Sequence, residues 1–295
     1  MVPAPLLAID GLSARLRAPP HRPLLRSVCL DVREGEVHGL VGESGAGKST
    51  IGKAVLGILP RAIEPCGGTI RLSGTDLLGL SPARLDAVLG TEIALIPQDP
   101  MTALNPSRRI FDQLTDGLRL KRRLRGQALR DKAVALLQDV QIPDPEAVLR
   151  RYPHEISGGM RQRILIAAAF SLDPKLIIAD EPTTALDVTV QKEVLRLIRK
   201  MQRSHGTGVV FVTHDLGVVA QVCDRLTVLY GGMVVEQGET AAILAAPSHP
   251  YTRALLDATP RHDRTGSGMR PIPPQVAAAL QAELARYGMG PGAHV

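Results

Sequence analysis

A phosphate-binding loop constrains this chain more than any other feature in it. Gly42-Glu43-Ser44-Gly45-Ala46-Gly47-Lys48-Ser49 holds every fixed position of the pattern G-x-x-x-x-G-K-[ST]. The flanks are those the loop needs. Glu36-Val37-His38-Gly39-Leu40-Val41 reads as a buried strand running in, and Lys48 to Ile58 as the helix running out. The glycines let backbone N–H groups approach phosphate oxygens, and the helix turns its positive end toward them. Lys48 supplies charge to the β- and γ-phosphates, and Ser49 a hydroxyl to Mg²⁺. A second phosphate-facing candidate, Ser157-Gly158-Gly159 ahead of a helix starting near Met160, lies far along the chain. One chain has little use for two such surfaces on one nucleotide, whereas two chains facing each other do.

Acidic and polar residues at strand ends add the chemistry. Leu176-Ile177-Ile178-Ala179-Asp180-Glu181 is an apolar strand that ends in two acids. Packing does not explain adjacent acids there, because an unpaired buried charge costs several kcal/mol. Asp180 at the sheet's carboxyl edge can hold Mg²⁺ through water, and Glu181 can polarise an attacking water. Gln98 ends the strand Ile93 to Pro97, where an amide can hold both Mg²⁺ and the water. His214 ends the strand Val209 to Thr213, at the edge where ligands bind in open parallel sheets. It can reach a γ-phosphate and orient the base. For Ser157-Gly158-Gly159, physics leaves two readings open: an anion site, or a plain N-cap by Ser157.

The rest of the chain alternates strand and helix. Val188 to Arg203 and Leu216 to Val222 read as helices, and Gly208 to Thr213 and Arg225 to Tyr230 as strands. This βαβ alternation predicts an α/β fold, a mostly parallel sheet covered on both faces. Leu6 to Asp10 and Leu24 to Val32 suggest an antiparallel β subdomain at the start. Ser107 to about Met160 is helical, broken at Gly126, Pro143, Pro145 and Pro153, and forms an insert spanning about 99–172. Residues 1–258 form the main domain. Residues 259–295 are a tail, with a turn-rich stretch from Pro260 to Pro274 and a short helix over Gln275 to Tyr287.

Composition narrows the partners. Net charge is +6, but aromatics are only 2% and Trp is absent, which argues against the stacking platforms of nucleic-acid binders. The basic run Arg119 to Arg125 reads as a solvated helix face. No stretch reaches about 18 consecutive apolar residues, so no span is expected, nor does the start resemble a signal peptide. Cys29, Cys66 and Cys223 form neither a zinc pattern nor a disulfide framework, and all three are expected as buried thiols in a reducing compartment.

In these motifs the chain resembles the nucleotide-binding subunits of ABC transporters, over roughly residues 6 to 258. The likeness rests on the phosphate loop, Gln98, the signature Ser157-Gly158-Gly159-Met160-Arg161-Gln162, Asp180-Glu181, the D-loop Ala185-Leu186-Asp187, and the switch His214. The fold it implies is the P-loop ATPase core with an antiparallel β subdomain and a helical insert. The resemblance implies ATP and Mg²⁺ as cofactors, Mg²⁺ being held by Ser49, Gln98 and Asp180. Nucleotide contacts run over Gly42, Glu43, Ser44, Gly45, Ala46, Gly47, Lys48, Ser49 and Thr50. Glu181, His214 and Gln98 are the catalytic group.

Two such domains would meet head to tail, with Ser157, Gly158, Gly159 and Gln162 of one completing the site of the other and Asp187 at the seam. Closure on ATP would move membrane partners. Gln98-Asp99-Pro100-Met101-Thr102-Ala103-Leu104-Asn105-Pro106 and His249-Pro250-Tyr251-Thr252-Arg253-Ala254-Leu255-Leu256 look like the peptide and nickel importer branch. Both segments are expected outside the hydrolytic chemistry, the first lying against the helical insert and facing the membrane subunits. The implied partners are a second, related ATPase chain, two integral membrane permease subunits and an extracytoplasmic binding protein, with no nucleic acid. The implied place is the cytoplasmic face of a bacterial inner membrane.

Two departures stand out. The family often sets an aromatic ring under adenine, but Leu12-Ser13-Ala14-Arg15-Leu16 has none, which leaves the base to Leu16 or Arg17. The tail lacks the cysteine cluster of many peptide-branch members, and Ala285 to Gly290 looks faintly like nickel-type subunits. The alternative is a soluble ABC-type ATPase acting on DNA or ribosomes. Such proteins carry coiled-coil insertions, zinc cysteines or tandem units, none of which is found. A P-loop kinase would leave the signature and D-loop without a role.

Overall fold

The computed structural model describes residues 4–184, 186–258 and 274–287. Its strands are β1 (Leu7–Leu16), β2 (Pro23–Val32), β3 (Val37–Val41), β4 (Ile63–Leu72), β5 (Thr75–Asp76), β6 (Ile93–Ile96), β7 (Leu176–Asp180), β8 (Gly208–Thr213), β9 (Arg225–Tyr230) and β10 (Met233–Glu239). Its helices are α1 (Lys48–Val55), α2 (Pro82–Val88), α3 (Pro100–Ala103), α4 (Ile110–Lys121), α5 (Gly126–Asp139), α6 (Pro145–Arg150), α7 (Gly158–Phe170), α8 (Val188–His205), α9 (Leu216–Val222), α10 (Thr240–Ala245), α11 (Pro250–Ala258) and α12 (Pro274–Tyr287). The chain divides into two compact units.

One unit comprises Gly79–Val212 with Val32–Glu36 and the residues up to Leu6. Here β6 and β8 flank β7, both in parallel: Ile96 lies opposite Ala179, and Asp180 opposite Val212. In β7 every residue but the last is buried, and β8 is buried throughout. Such uniformly apolar strands belong in a parallel sheet with both faces covered. Parallel register has a further consequence: the ends of β6, β7 and β8 emerge along one edge, bringing Gln98 and Glu181 out side by side.

The helical insert is shaped by its own punctuation. The breaks expected at Gly126, Pro145 and Pro153 fall where new helical segments start, Pro145 and Pro153 at the first turn where a missing N–H costs nothing. Asp144 caps α6 by accepting from the Ala147 N–H at 3.3 Å. α7 packs against α3, α4, α5, α8 and β6. The basic run is largely exposed, with Arg122, Arg123 and Arg125 in solvent, and three of its cations are also tethered. Arg119 bonds Asp112 at 3.2 Å, Lys121 reaches the Asp86 carbonyl at 2.7 Å, and Arg122 reaches the Leu172 carbonyl at 2.9 Å.

The other unit comprises Leu7–Asp31, Val37–Leu78 and the chain from Thr213 on. Its separate sheet has the order β2-β1-β4-β5, with β1–β4 and β4–β5 antiparallel. β3 pairs in parallel with β9, and β10 antiparallel to β9. β4 was not legible in the sequence because Pro65, Gly67 and Gly68 mimic a turn. Gly68 serves a close approach: a Cβ on it would sit 2.4 Å from the Gly11 backbone, and the β1–β4 register shifts beside it. Only one of the three thiols is buried as expected. Cys223 packs against Gly39, whereas Cys29 and Cys66 are exposed. Alternation along β2 turns Val28 and Leu30 inward and Cys29 out, where its sulfur accepts the Gly11 N–H at 3.2 Å. The expected final helix is present as α12. The turn-rich stretch before it lies outside the described residues.

The middle strand of the parallel trio should dominate stability. Ile177 is fully buried in β7. Ile177→Ala is expected to lower the unfolding free energy by about 2–5 kcal/mol, measured as a fall in the urea midpoint at unchanged slope.

Candidate functional site

The phosphate loop occupies the turn between β3 and α1. Lys48 is 4% exposed, and its ammonium donates to the Gly42 carbonyl at 2.7 Å and the Glu43 carbonyl at 2.9 Å. A buried cation on a flexible stem is thereby held inside the loop that it closes. Gly45 and Gly47 have φ of 82° and 101°, a region costly for side-chain-bearing residues. Gly47 caps α1 with no side-chain bond to the first turn, and that turn carries no acid. With neither a side-chain cap nor an acid there, the positive end of the helix can face an anion. Space is available too, since nothing lies within 4 Å of where a Gly45 Cβ would stand. Ser49 and Thr50 sit half-buried in the first turn of α1.

The loop is anchored from behind. A Cβ on Gly42 would stand 2.2 Å from the Leu229 carbonyl of β9. The Gly232 N–H, in the turn after β9, donates to the Ala46 carbonyl at 3.0 Å. The Glu43 N–H donates to the Tyr251 hydroxyl at 3.3 Å. The segment around His249-Pro250-Tyr251, which the sequence marked as lying outside the hydrolytic chemistry, thus touches the phosphate loop.

The acids form a second constellation, in the other unit. Glu181 follows Asp180 at the end of β7 and turns sharply, with φ at 47°. A left-handed glutamate is strained and persists only where its surroundings fix it. They do so here. The Glu181 N–H donates to the Val212 carbonyl at 2.9 Å. Its Oε2 accepts from Gln98 Nε2 at 3.2 Å and from the Thr184 hydroxyl at 2.9 Å. Gln98 and Glu181 thus meet. Thr184 was missed, although a threonine three residues after an acid in a Pro-Thr-Thr turn is a readable signal.

The signature residues divide. Ser157 caps α7, accepting from the Met160 N–H at 3.3 Å, so the capping reading is realised. The same helix start leaves open space at Gly158. Gln162 differs from expectation: it is fully buried, and its amide donates inward to the Pro182 carbonyl at 2.8 Å. Its side chain ties the signature helix to the acid turn and does not face outward. Asp187 caps α8, accepting from the Thr189 and Val190 N–H groups at 3.0 and 2.9 Å. Ala185 of the same loop lies outside the described residues. Beyond Gln98, Met101 is 59% exposed and accepts from Arg161 of α7 at 2.9 Å, which places this segment on the helical insert. His214 is exposed immediately after β8.

Ser49, Gln98 and Asp180 offer hydroxyl, amide and carboxylate oxygens. That hard donor set suits Mg²⁺, which is usually held by one or two protein groups together with phosphates and water. No group of three or more His, Cys, Asp or Glu poised to hold a metal occurs among the described residues.

Comparison with known proteins supplies the wider frame. Residues 25–184 match the family described as ABC transporter, and residues 235–285 the family described as oligopeptide/dipeptide transporter, C-terminal region. The probable D,D-dipeptide transport ATP-binding protein of Escherichia coli strain K12 is 49% identical over 81% of this chain and 73% of that protein. The dipeptide transport ATP-binding protein of Bacillus subtilis strain 168 is 45% identical over 84% and 74%. Among solved structures, the dimeric post-hydrolysis state of the ATP-binding cassette MJ0796 with ADP and Pi superposes with a TM-score of 0.70 at 25% identity. It covers 79% of this chain and 98% of that one.

The tight backing of the loop generates a prediction. Gly42→Ala must push the loop away from the Leu229 carbonyl, and is expected to weaken ATP binding at least about 10-fold by titration calorimetry, a misplacement effect and not a loss of charge.

Proposed function

This chain belongs to the ABC transporter family, and from that premise we propose that it is the ATP-hydrolysing subunit of a peptide importer. The observation that carries the ATP reading is the buried Lys48 ammonium, parked on two loop carbonyls beside an uncapped helix start. A phosphate chain offers the ammonium stronger acceptors than the two carbonyls, so the loop is poised for exchange.

In this proposal Gly42 to Thr50 bind the phosphates by backbone N–H groups and Lys48. Mg²⁺, held by Ser49, Gln98 and Asp180 with water, offsets charge on the phosphates. Glu181 takes a proton from the attacking water. Gln98 and Thr184 hold its carboxylate in place through Oε2. His214 orients the γ-phosphate from the end of β8. Ser157, Gly158 and Gly159 serve the nucleotide of a second, paired ATPase chain, and Asp187 stands at the seam. Gly158, with open space around it, suits close approach by a partner's phosphate.

The transport partners are two membrane permeases and an extracytoplasmic binding protein, and the place is the cytoplasmic face of the membrane. No helix among the described residues is long and apolar enough to cross a membrane, in keeping with separate permease subunits. Peptides are favoured over nickel as cargo by the named relatives and by the match of the C-terminal region.

Glu181→Gln is expected to retain ATP binding, to elute as an ATP-bound dimer on size exclusion, and to lose phosphate release by about 10²–10⁴-fold. Release at the wild-type rate removes Glu181 from the role of base. Calorimetry of the system's extracytoplasmic binding protein is expected to show dipeptide or oligopeptide binding; binding of a Ni²⁺ chelate alone would move the cargo to metal.

A further inference from the structure

The peptide unit that joins Gly42 to Glu43 is gripped at both ends. Its carbonyl oxygen, on Gly42, accepts from the Lys48 ammonium at 2.7 Å. Its N–H, on Glu43, donates to the Tyr251 hydroxyl at 3.3 Å. In a trans peptide these two groups point in opposite directions, so lysine and tyrosine clamp one amide plane from opposite sides. Rotating that plane would break both bonds at once. We propose that Tyr251 is a positioning residue for ATP binding: its hydroxyl fixes the Gly42–Glu43 peptide, and through it the resting place of Lys48. This rests on the ATP-binding reading above and adds to it a residue outside the loop motif.

The tyrosine is itself firmly placed. Its side chain is fully buried, and its ring meets Tyr230 of β9 edge-on at 4.9 Å. The turn that delivers it is tied to β10. Glu236 accepts from the Ser248 N–H and hydroxyl at 2.7 and 2.8 Å, and from the His249 N–H at 3.1 Å. Burial works against the charge on Glu236, but the hydrogen bonds it accepts outweigh burial and hold the carboxyl below its usual range. The Tyr251 N–H donates to His249 Nδ1 at 3.1 Å, which places the proton of a neutral ring on Nε2. That nitrogen faces Glu283 of α12 at 3.7 Å. Burial, reinforced by the nearby Glu43 carboxylate, raises the phenol well above its ordinary range, so it stays neutral at working pH. A neutral phenol can accept the amide hydrogen without bringing a negative charge into a loop that must receive phosphates.

The chain of contacts runs from α12 through His249 and Tyr251 to the phosphate loop. It gives this C-terminal segment a role in nucleotide affinity that the loop motif does not reveal. Tyr251→Phe is the discriminating change, because the ring retains its packing against Tyr230 and only the hydroxyl is lost.

The test uses the full-length chain, with ATP and inorganic tripolyphosphate as probes. The tripolyphosphate arm isolates the phosphate loop from any adenine contact. In Tyr251→Phe the Kd for both probes should rise by a similar factor, about 2- to 10-fold, the range of one net hydrogen bond. KM for ATP should rise in parallel, with kcat within about twofold. A purely structural tyrosine would lower the melting temperature and leave both Kd values unchanged, which overturns the proposal, as does a fall in kcat alone. A wild-type chain that binds neither probe overturns the ATP reading and this proposal with it. Wild-type binding matched by the variant overturns only the proposal. Should the variant fail to fold, hydrogen exchange in the nucleotide-free wild type decides. A protected Glu43 amide supports the clamp, and an amide exchanging at the rate of an open loop overturns it.

Discussion

A buried ammonium needs acceptors, and much of the unit that holds the phosphate loop is arranged to supply them. Lys48 is drawn into the loop by the Gly42 and Glu43 carbonyls. Those carbonyls can face inward only because the loop adopts backbone angles open to glycine. The loop can keep that shape only because β9, the turn after it and the Tyr251 hydroxyl support it from behind. The cost of burying a charge without partners is several kcal/mol. The supports are therefore energetically coupled, and loss of one is felt by the others. The same arrangement leaves the start of α1 without a side-chain cap.

The acid turn solves a different problem by similar means. Glu181 is held in a left-handed conformation that glutamate disfavours. Backbone pairing to Val212 and side-chain bonds from Gln98 and Thr184 compensate. Gln162 secures the next residue, Pro182, from the buried side of the signature helix. A displacement of α7 would thus be transmitted to the turn that carries Glu181. In an ATPase of this family that linkage provides a physical path between the signature helix and the acids within one chain.

Much of the architecture was legible because it depends on local pattern. β8, α9 and β9 have the bounds that alternating apolar runs suggest, and β3, β6, β7 and α8 differ only at their ends. The meeting of Gln98 with Glu181 followed from parallel strands ending at one edge. Other features were hidden. β4 was masked by the turn-like composition of Pro65, Gly67 and Gly68, although Gly68 serves a close backbone approach. Cys29 was expected inside, but strand alternation turns it out. Gln162 was read as facing a partner, but helical phase turns it inward. Tyr251 was read only as a branch marker outside the hydrolytic chemistry, since no local pattern encodes its contact with the loop across so much intervening chain.

What the chain's order of residues indicated by itself is the chemistry: a phosphate loop, a pair of acids at a strand end, a Ser-Gly-Gly segment at a helix start. These are short motifs whose function resides in backbone freedom and charge type, both properties of neighbouring residues. What the tertiary structure alone decided is which distant groups hold those motifs in working shape. Gln162 on Pro182 and Tyr251 on Glu43 are single hydrogen bonds made across folds of the chain. Their existence depends on packing distances of a few tenths of an ångström, which no spacing along the sequence records.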